Sequence, residues 1–79
     1  MTVAEMDPDI RPGAAIFTQE GRYLGEVGEI EGRSFHVQAA MQPDYWLPLR
    51  TVARASDEHV EVAFYLHELG EYRQLTPAA

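Results

Sequence analysis

The stretch Glu20-Gly21-Arg22-Tyr23-Leu24-Gly25-Glu26-Val27 constrains this chain more than any other. Gly21 offers the positive φ that a tight turn demands. Tyr23 to Ile30 then reads as a strand, yet Leu24, Val27 and Ile30 do not share one parity. One extra residue near Gly25 or Gly28 restores the register as a bulge. A glycine inside a strand, such as Gly25, also marks the close approach of another backbone. Gly32, after Glu31, signals a second hairpin. These glycines read as turn and bulge positions. The stretch lacks the Gly-Lys-Ser/Thr ending and the following helix of a phosphate loop.

Strand signals recur along the chain. Ala14 to Thr18 forms a first strand with Ile16 and Phe17 as its large residues. Ser34 to Ala39 alternates, with Phe35 and Val37 on one face and Ser34, His36 and Gln38 on the other. Ala40 to Asp44 is a loop. Tyr45 to Leu49 is a short strand that Pro48 confines to an edge or a bulge. Thr51 to Ala55 reads as a single helical turn. Val60, Val62 and Phe64 share a face of the last clear strand, which is expected to run to about residue 65. Tyr65, Leu69 and Tyr72 then fall at helical spacing, whereas Gly70 would suit a hairpin into a sixth strand at Glu71 to Thr76; the helical turn is the favoured reading. Residues 1–13 read as a flexible arm, 14–76 as one domain and 77–79 as a disordered tail. The expected class is all-β: a small barrel of five to six short antiparallel strands with a short C-terminal helical turn.

A chain of 79 residues without cysteine has no disulfide or thiolate metal site to support its small core. Self-association as a homodimer or larger assembly is the expected compensation. The net charge of −7, with only six dispersed arginines and no lysine, speaks against direct nucleic-acid binding and against docking on an anionic membrane. No apolar run approaches the roughly 20 residues that span a bilayer, so no membrane insertion is expected. Met1 to Asp9 carries acidic residues and no basic region of a secretory signal, which makes a cytoplasmic location the default expectation.

The ordered landmarks are Leu24-Gly25-x-Val27, a hairpin, Tyr45-Trp46-Leu47-Pro48-Leu49-x-x-Val52, an acidic turn, and Val60-x-Val62. Over roughly Ile10 to Phe64 this set resembles the PRC-barrel superfamily. It is most similar to the stand-alone bacterial branch grouped as a domain of unknown function (DUF2171-like). The resemblance implies a six-stranded, often self-associating barrel with an adaptor role. Family members include a ribosome-maturation factor whose barrel contacts a ribosomal protein. The branch implies no catalytic residue. The acidic tail and its tyrosines depart from the pattern.

Few residues carry a chemical signal of their own. His59 and Glu61 project from one strand face and, with His36, are the weak candidates for a metal or small-ligand site, although no ligand motif such as H-E-x-x-H occurs. The plainer reading is that all three are solvated polar side chains on outward strand positions. Ser34 and Ser56 lie in no nucleophile elbow, and Glu26, Glu29 and Glu31 read as a solvated strand and turn. No cofactor and no enzymatic activity are indicated. Alternation places one of Tyr45 and Trp46 inward and the other outward. With Pro48 and Arg50 these residues are the interface candidates, since Tyr and Trp are enriched at binding hot spots. The expectation is a non-catalytic interaction module with a protein partner. The alternatives are a small-ligand or metal-binding barrel and an accessory role in ribosome maturation through a basic ribosomal protein.

Overall fold

Alternating apolar residues build six strands around one core. The computed structural model describes residues 10–39 and 42–77. The strands are β1 Ala15–Phe17, β2 Tyr23–Glu31, β3 Ser34–Ala39, β4 Tyr45–Pro48, β5 Val52–Ala55 and β6 His59–Val62. A 3-10 turn, Leu49–Thr51, joins β4 to β5. A second, Leu66–Glu68, leads into the single-turn helix α1, Leu69–Tyr72. The sheet runs β4-β3-β2-β1-β6-β5 and curls into a half-barrel.

The expected all-β fold with a short C-terminal helical turn is therefore present, with one correction to the strand directions. All neighbours pair antiparallel except β1 and β6, which run parallel through Ala15–His59, Ile16–Val60 and Phe17–Glu61. Parallel neighbours need a long crossover, and here the β2–β5 segment supplies it.

The alternation reaches the core as expected. Ile16, Phe35, Val37, Leu47, Val60 and Val62 are fully buried, and Ile10, Ala14, Leu24, Val27, Tyr45, Leu49, Phe64 and Leu69 complete the cluster. The parity break in β2 resolves as two bulges. Between Ile16 and Phe17 the β1 partner on β2 moves from Gly25 to Tyr23. Between Val27 and Ile30 the β3 register slips by one residue, at Gly28–Glu29. Gly21, Gly25 and Gly32 have φ of 90°, 145° and 60°.

Several boundaries shift. Residues 1–9 of the expected arm lie outside the described residues, as do Ala40 and Met41 of the expected loop and Ala78 and Ala79 of the expected tail. Ile10, however, belongs to the core at 5 % exposure, and the Gly13 N–H donates to the Val27 carbonyl at 2.7 Å. The helical turn expected over Thr51 to Ala55 sits earlier, at Leu49–Thr51, and Val52–Ala55 is strand. There the Thr51 hydroxyl donates to the Pro48 carbonyl, 2.7 Å, and the Leu49 N–H to Arg33 O, 2.8 Å. The last strand ends at Val62 rather than near residue 65.

The C-terminal segment covers one open side of the half-barrel. Leu69 is buried, Tyr72 stacks on Phe64 at 4.7 Å and 9°, and Gln74 bridges to Trp46. Glu68 and Tyr65 form a reciprocal cap that sets the turn. Leu66 N–H donates to Glu20 Oε1 at 3.0 Å, which pins the turn to the β1–β2 hairpin. No helix among the described residues is long and apolar enough to cross a membrane.

Candidate functional site

Strand alternation decides which side chains β3 and β4 present outward. Phe35, Val37, Tyr45 and Leu47 point into the core, so His36, Gln38 and Trp46 lie on the outer face. His36 and Trp46 are direct cross-strand partners, with ring centroids 5.0 Å apart at 54°. Such a pair packs like any cross-strand aromatic contact. The β2 bulge brings Gly28 against His36: a Cβ at Gly28 would stand 2.6 Å from His36 Nδ1. The missing side chain is thus the seat of the imidazole.

Together with Pro12, Gly13, Val27 and Glu29, these residues line an open groove of about 570 Å³ across the outer face of β2–β4. His36 Nε2 lies 3.5 Å from Asp44 Oδ2, and Asp44 Oδ1 accepts the Ala39 N–H at 3.1 Å. The second contact holds the carboxylate in place behind the imidazole. Trp46 is fixed by its backbone: its N–H donates to Gln74 O, and its carbonyl accepts the Gln74 N–H, each at 2.8 Å.

The interface candidates separate accordingly. Trp46 is the outward aromatic. Tyr45 is only 3 % exposed and Pro48 is buried, so neither presents a surface. Both are wall residues of the core, because β4 turns Tyr45 inward and Pro48 begins the 3-10 turn. Arg50 is exposed on that turn, beside a crevice of about 110 Å³ lined by Thr51, Ala63, Phe64 and Tyr72. The Tyr45 hydroxyl is buried without a hydrogen-bond partner, as is Gln74 Oε1. Burial pushes the Tyr45 phenol up to about 12, against the opposing pull of Arg73.

The weak metal candidates do not converge. His36 is on β3, and β2 and β1 separate it from β6 in the sheet. His59 and Glu61 share the outer face of β6, but each is engaged elsewhere. The His59 ring stacks on Phe17 at 4.6 Å and 14°, and Glu61 Oε1 lies 3.7 Å from Arg54 Nε. Among the described residues, no three His, Cys, Asp or Glu side chains gather closely enough to hold a metal ion. Ser34 is buried, and Ser56 is exposed ahead of β6.

By sequence alone His36 is a ligand candidate and Trp46 an interface candidate, and nothing local connects the two. Gln38 shares the outward face of His36 in the sequence, but nothing there joins Glu29 or Pro12 to either ring. The available signal was the outward set His36 and Gln38 opposite an outward tryptophan, but only the strand register joins them. No protein-family model matches the chain, and neither does a curated protein or a solved structure.

Proposed function

We propose that this protein is a non-catalytic interaction module that binds a protein partner at the groove over Gly28, His36 and Trp46. The observation that carries this reading is the placement of its single tryptophan. A tryptophan in a small domain is mostly, though seldom fully, buried, and it ordinarily packs against the core. Here Trp46 stands half-buried on the outer face, its backbone clamped by Gln74 and its ring flanked by His36, outside the core cluster. Tryptophan in a preformed recess is a typical binding hot spot. The concave side is filled by Phe35, Leu47, Val60 and their neighbours, which favours the outer face over the barrel interior as the binding surface.

Site-specific photo-crosslinking tests the reading. A crosslinker at Gln38 is expected to capture a discrete partner from cells that make the protein, and Trp46→Ala is expected to abolish capture while leaving the circular dichroism unchanged. Capture that is indifferent to Trp46→Ala overturns the assignment to this groove.

Self-association belongs to the same proposal. Gln74 occupies the outer side of β4 at Trp46, which leaves β5, at the other end of the sheet, as the edge for a second copy. Its four residues, its bulge and Arg54 oppose edge pairing, so a second copy there is expected to bind weakly. Sedimentation showing only monomer at high concentration removes this part and leaves the partner reading standing.

A further inference from the structure

We propose that the groove receives an arginine side chain carried by the partner protein. This inference rests on the partner-binding reading of the groove and names the chemistry of what enters it. The argument begins with what lines the recess. Trp46 lines it with apolar ring surface beside the His36 ring, Glu29 with an exposed carboxylate, and Gln38 with an amide acceptor. The His36 imidazole is turned to Asp44, so a second carboxylate stands behind the ring.

Among the described residues, no lysine or arginine lines the groove. The basic residue next to the lining in sequence, Arg11, is directed to Asp57, with Nε 3.1 Å from Oδ1. Glu26, Glu29 and Glu31 all stand exposed on β2, and the whole chain carries −7. An anionic ligand would therefore meet uncompensated negative charge, whereas a cation meets a complementary field.

Among cations the shape of the site selects. A guanidinium is planar, stacks on an aromatic face and donates to a carboxylate in the same plane. An ammonium is a compact, strongly hydrated point charge that is drawn to the ring and to the carboxylate but cannot lie flat on the one while donating in-plane to the other. The groove is also largely built before a ligand arrives: Gly28 seats His36, and Gln74 holds the Trp46 backbone. Preorganisation of this kind lowers the cost of ordering side chains on binding.

Because Trp46 is the only tryptophan, its emission reports on the groove directly. The full chain is titrated with four short capped peptides that differ only in a central arginine, lysine, citrulline or leucine. Trp46 fluorescence and the amide resonances of Gly28 and Gln38 are followed. The arginine peptide is expected to saturate in the millimolar range, weaken as salt is raised, and bind about 10-fold more tightly than the citrulline peptide, which keeps the shape but loses the charge. Glu29→Gln, on an exposed side chain, is expected to bring arginine binding down to the citrulline level. Equal binding of arginine and citrulline, or binding unaffected by Glu29→Gln, overturns the arginine assignment. Binding of the leucine peptide alone overturns it as well but leaves the groove a partner site. No response to any peptide counts against both.

Discussion

Trp46 and Gln74 exchange both of their backbone hydrogen bonds, each 2.8 Å long, so the chain's last described turn is joined to an edge strand by one reciprocal pair. Gln74→Pro removes one donor from that pair. The variant is expected to lose about 1 kcal/mol of stability. Hydrogen–deuterium exchange at the Trp46 amide is expected to rise by more than the global stability loss accounts for. Unchanged protection at Trp46 would show that the bridge is not what holds this edge.

Gly25 lies between β1 and β3, and a side chain there would collide with the Gln38 carbonyl oxygen and meet Ala39 Cα at 3.0 Å. Its φ of 145° is in addition unfavourable for any residue with a Cβ. Gly25→Ala is expected to cost roughly 3 kcal/mol or more, since strain and steric overlap act together. Gly21 also has positive φ, but no atom lies within 4 Å of its missing Cβ. Gly21→Ala is expected to cost only about 1–2 kcal/mol, the conformational part alone. Urea melts of the two variants side by side check this, and similar losses would contradict it.

Tyr45 sets an alkaline limit. Its phenol is raised from 10.0 to about 12 by burial. The folded state therefore holds the proton after the unfolded state has released it. The contribution is complete below about pH 10 and is lost as pH climbs towards about 12. Tyr45→Phe is expected to flatten this alkaline fall. At neutral pH it is expected to leave stability within about 1 kcal/mol of the parent or to raise it, because the hydroxyl it removes has no partner. Chemical denaturation across alkaline pH measures both.

Glu20 acts at the opposite end of the scale. Its carboxyl is held below the usual 4.5, chiefly by a hydrogen bond with the Thr18 side chain, with the Leu66 N–H adding to it. A depressed carboxyl contributes stability above its unfolded value and loses it as pH falls through the folded one. Glu20→Gln is expected to reduce the loss of thermal stability between neutral pH and about pH 3. An identical acid response in the two proteins would place the acid sensitivity elsewhere.

The core was legible because periodicity encodes it. Phe35 and Val37, then Val60, Val62 and Phe64, are spaced by two and all are buried. The parity break from Leu24 to Ile30 announced a bulge, and β2 carries two, one against β1 at Leu24 and one against β3 at Gly28–Glu29. Pro48 indicated an edge or a bulge, and β4 is an end strand of the sheet. The parallel pairing of Ile16 with Val60 was not legible, nor was the contact of Gln74 with Trp46. Both join residues distant in sequence, and local patterning says nothing about which distant strand a segment meets. The groove was missed for the same reason. Its parts stand on three strands and the segment before β1, and only the sheet register places Gly28 beneath His36.

The central place of β1 has a consequence for biogenesis. Its three residues lie between β2, made soon afterwards, and β6, which begins at His59. The meander of β2, β3 and β4 can pair as it leaves the ribosome, but the free side of β1 stays open until most of the chain has been synthesised. Closure of the core thus depends on contacts of high sequence separation, which form slowly. Stalled nascent chains ending before His59 are expected to remain protease-sensitive, and chains that include β6 to become resistant.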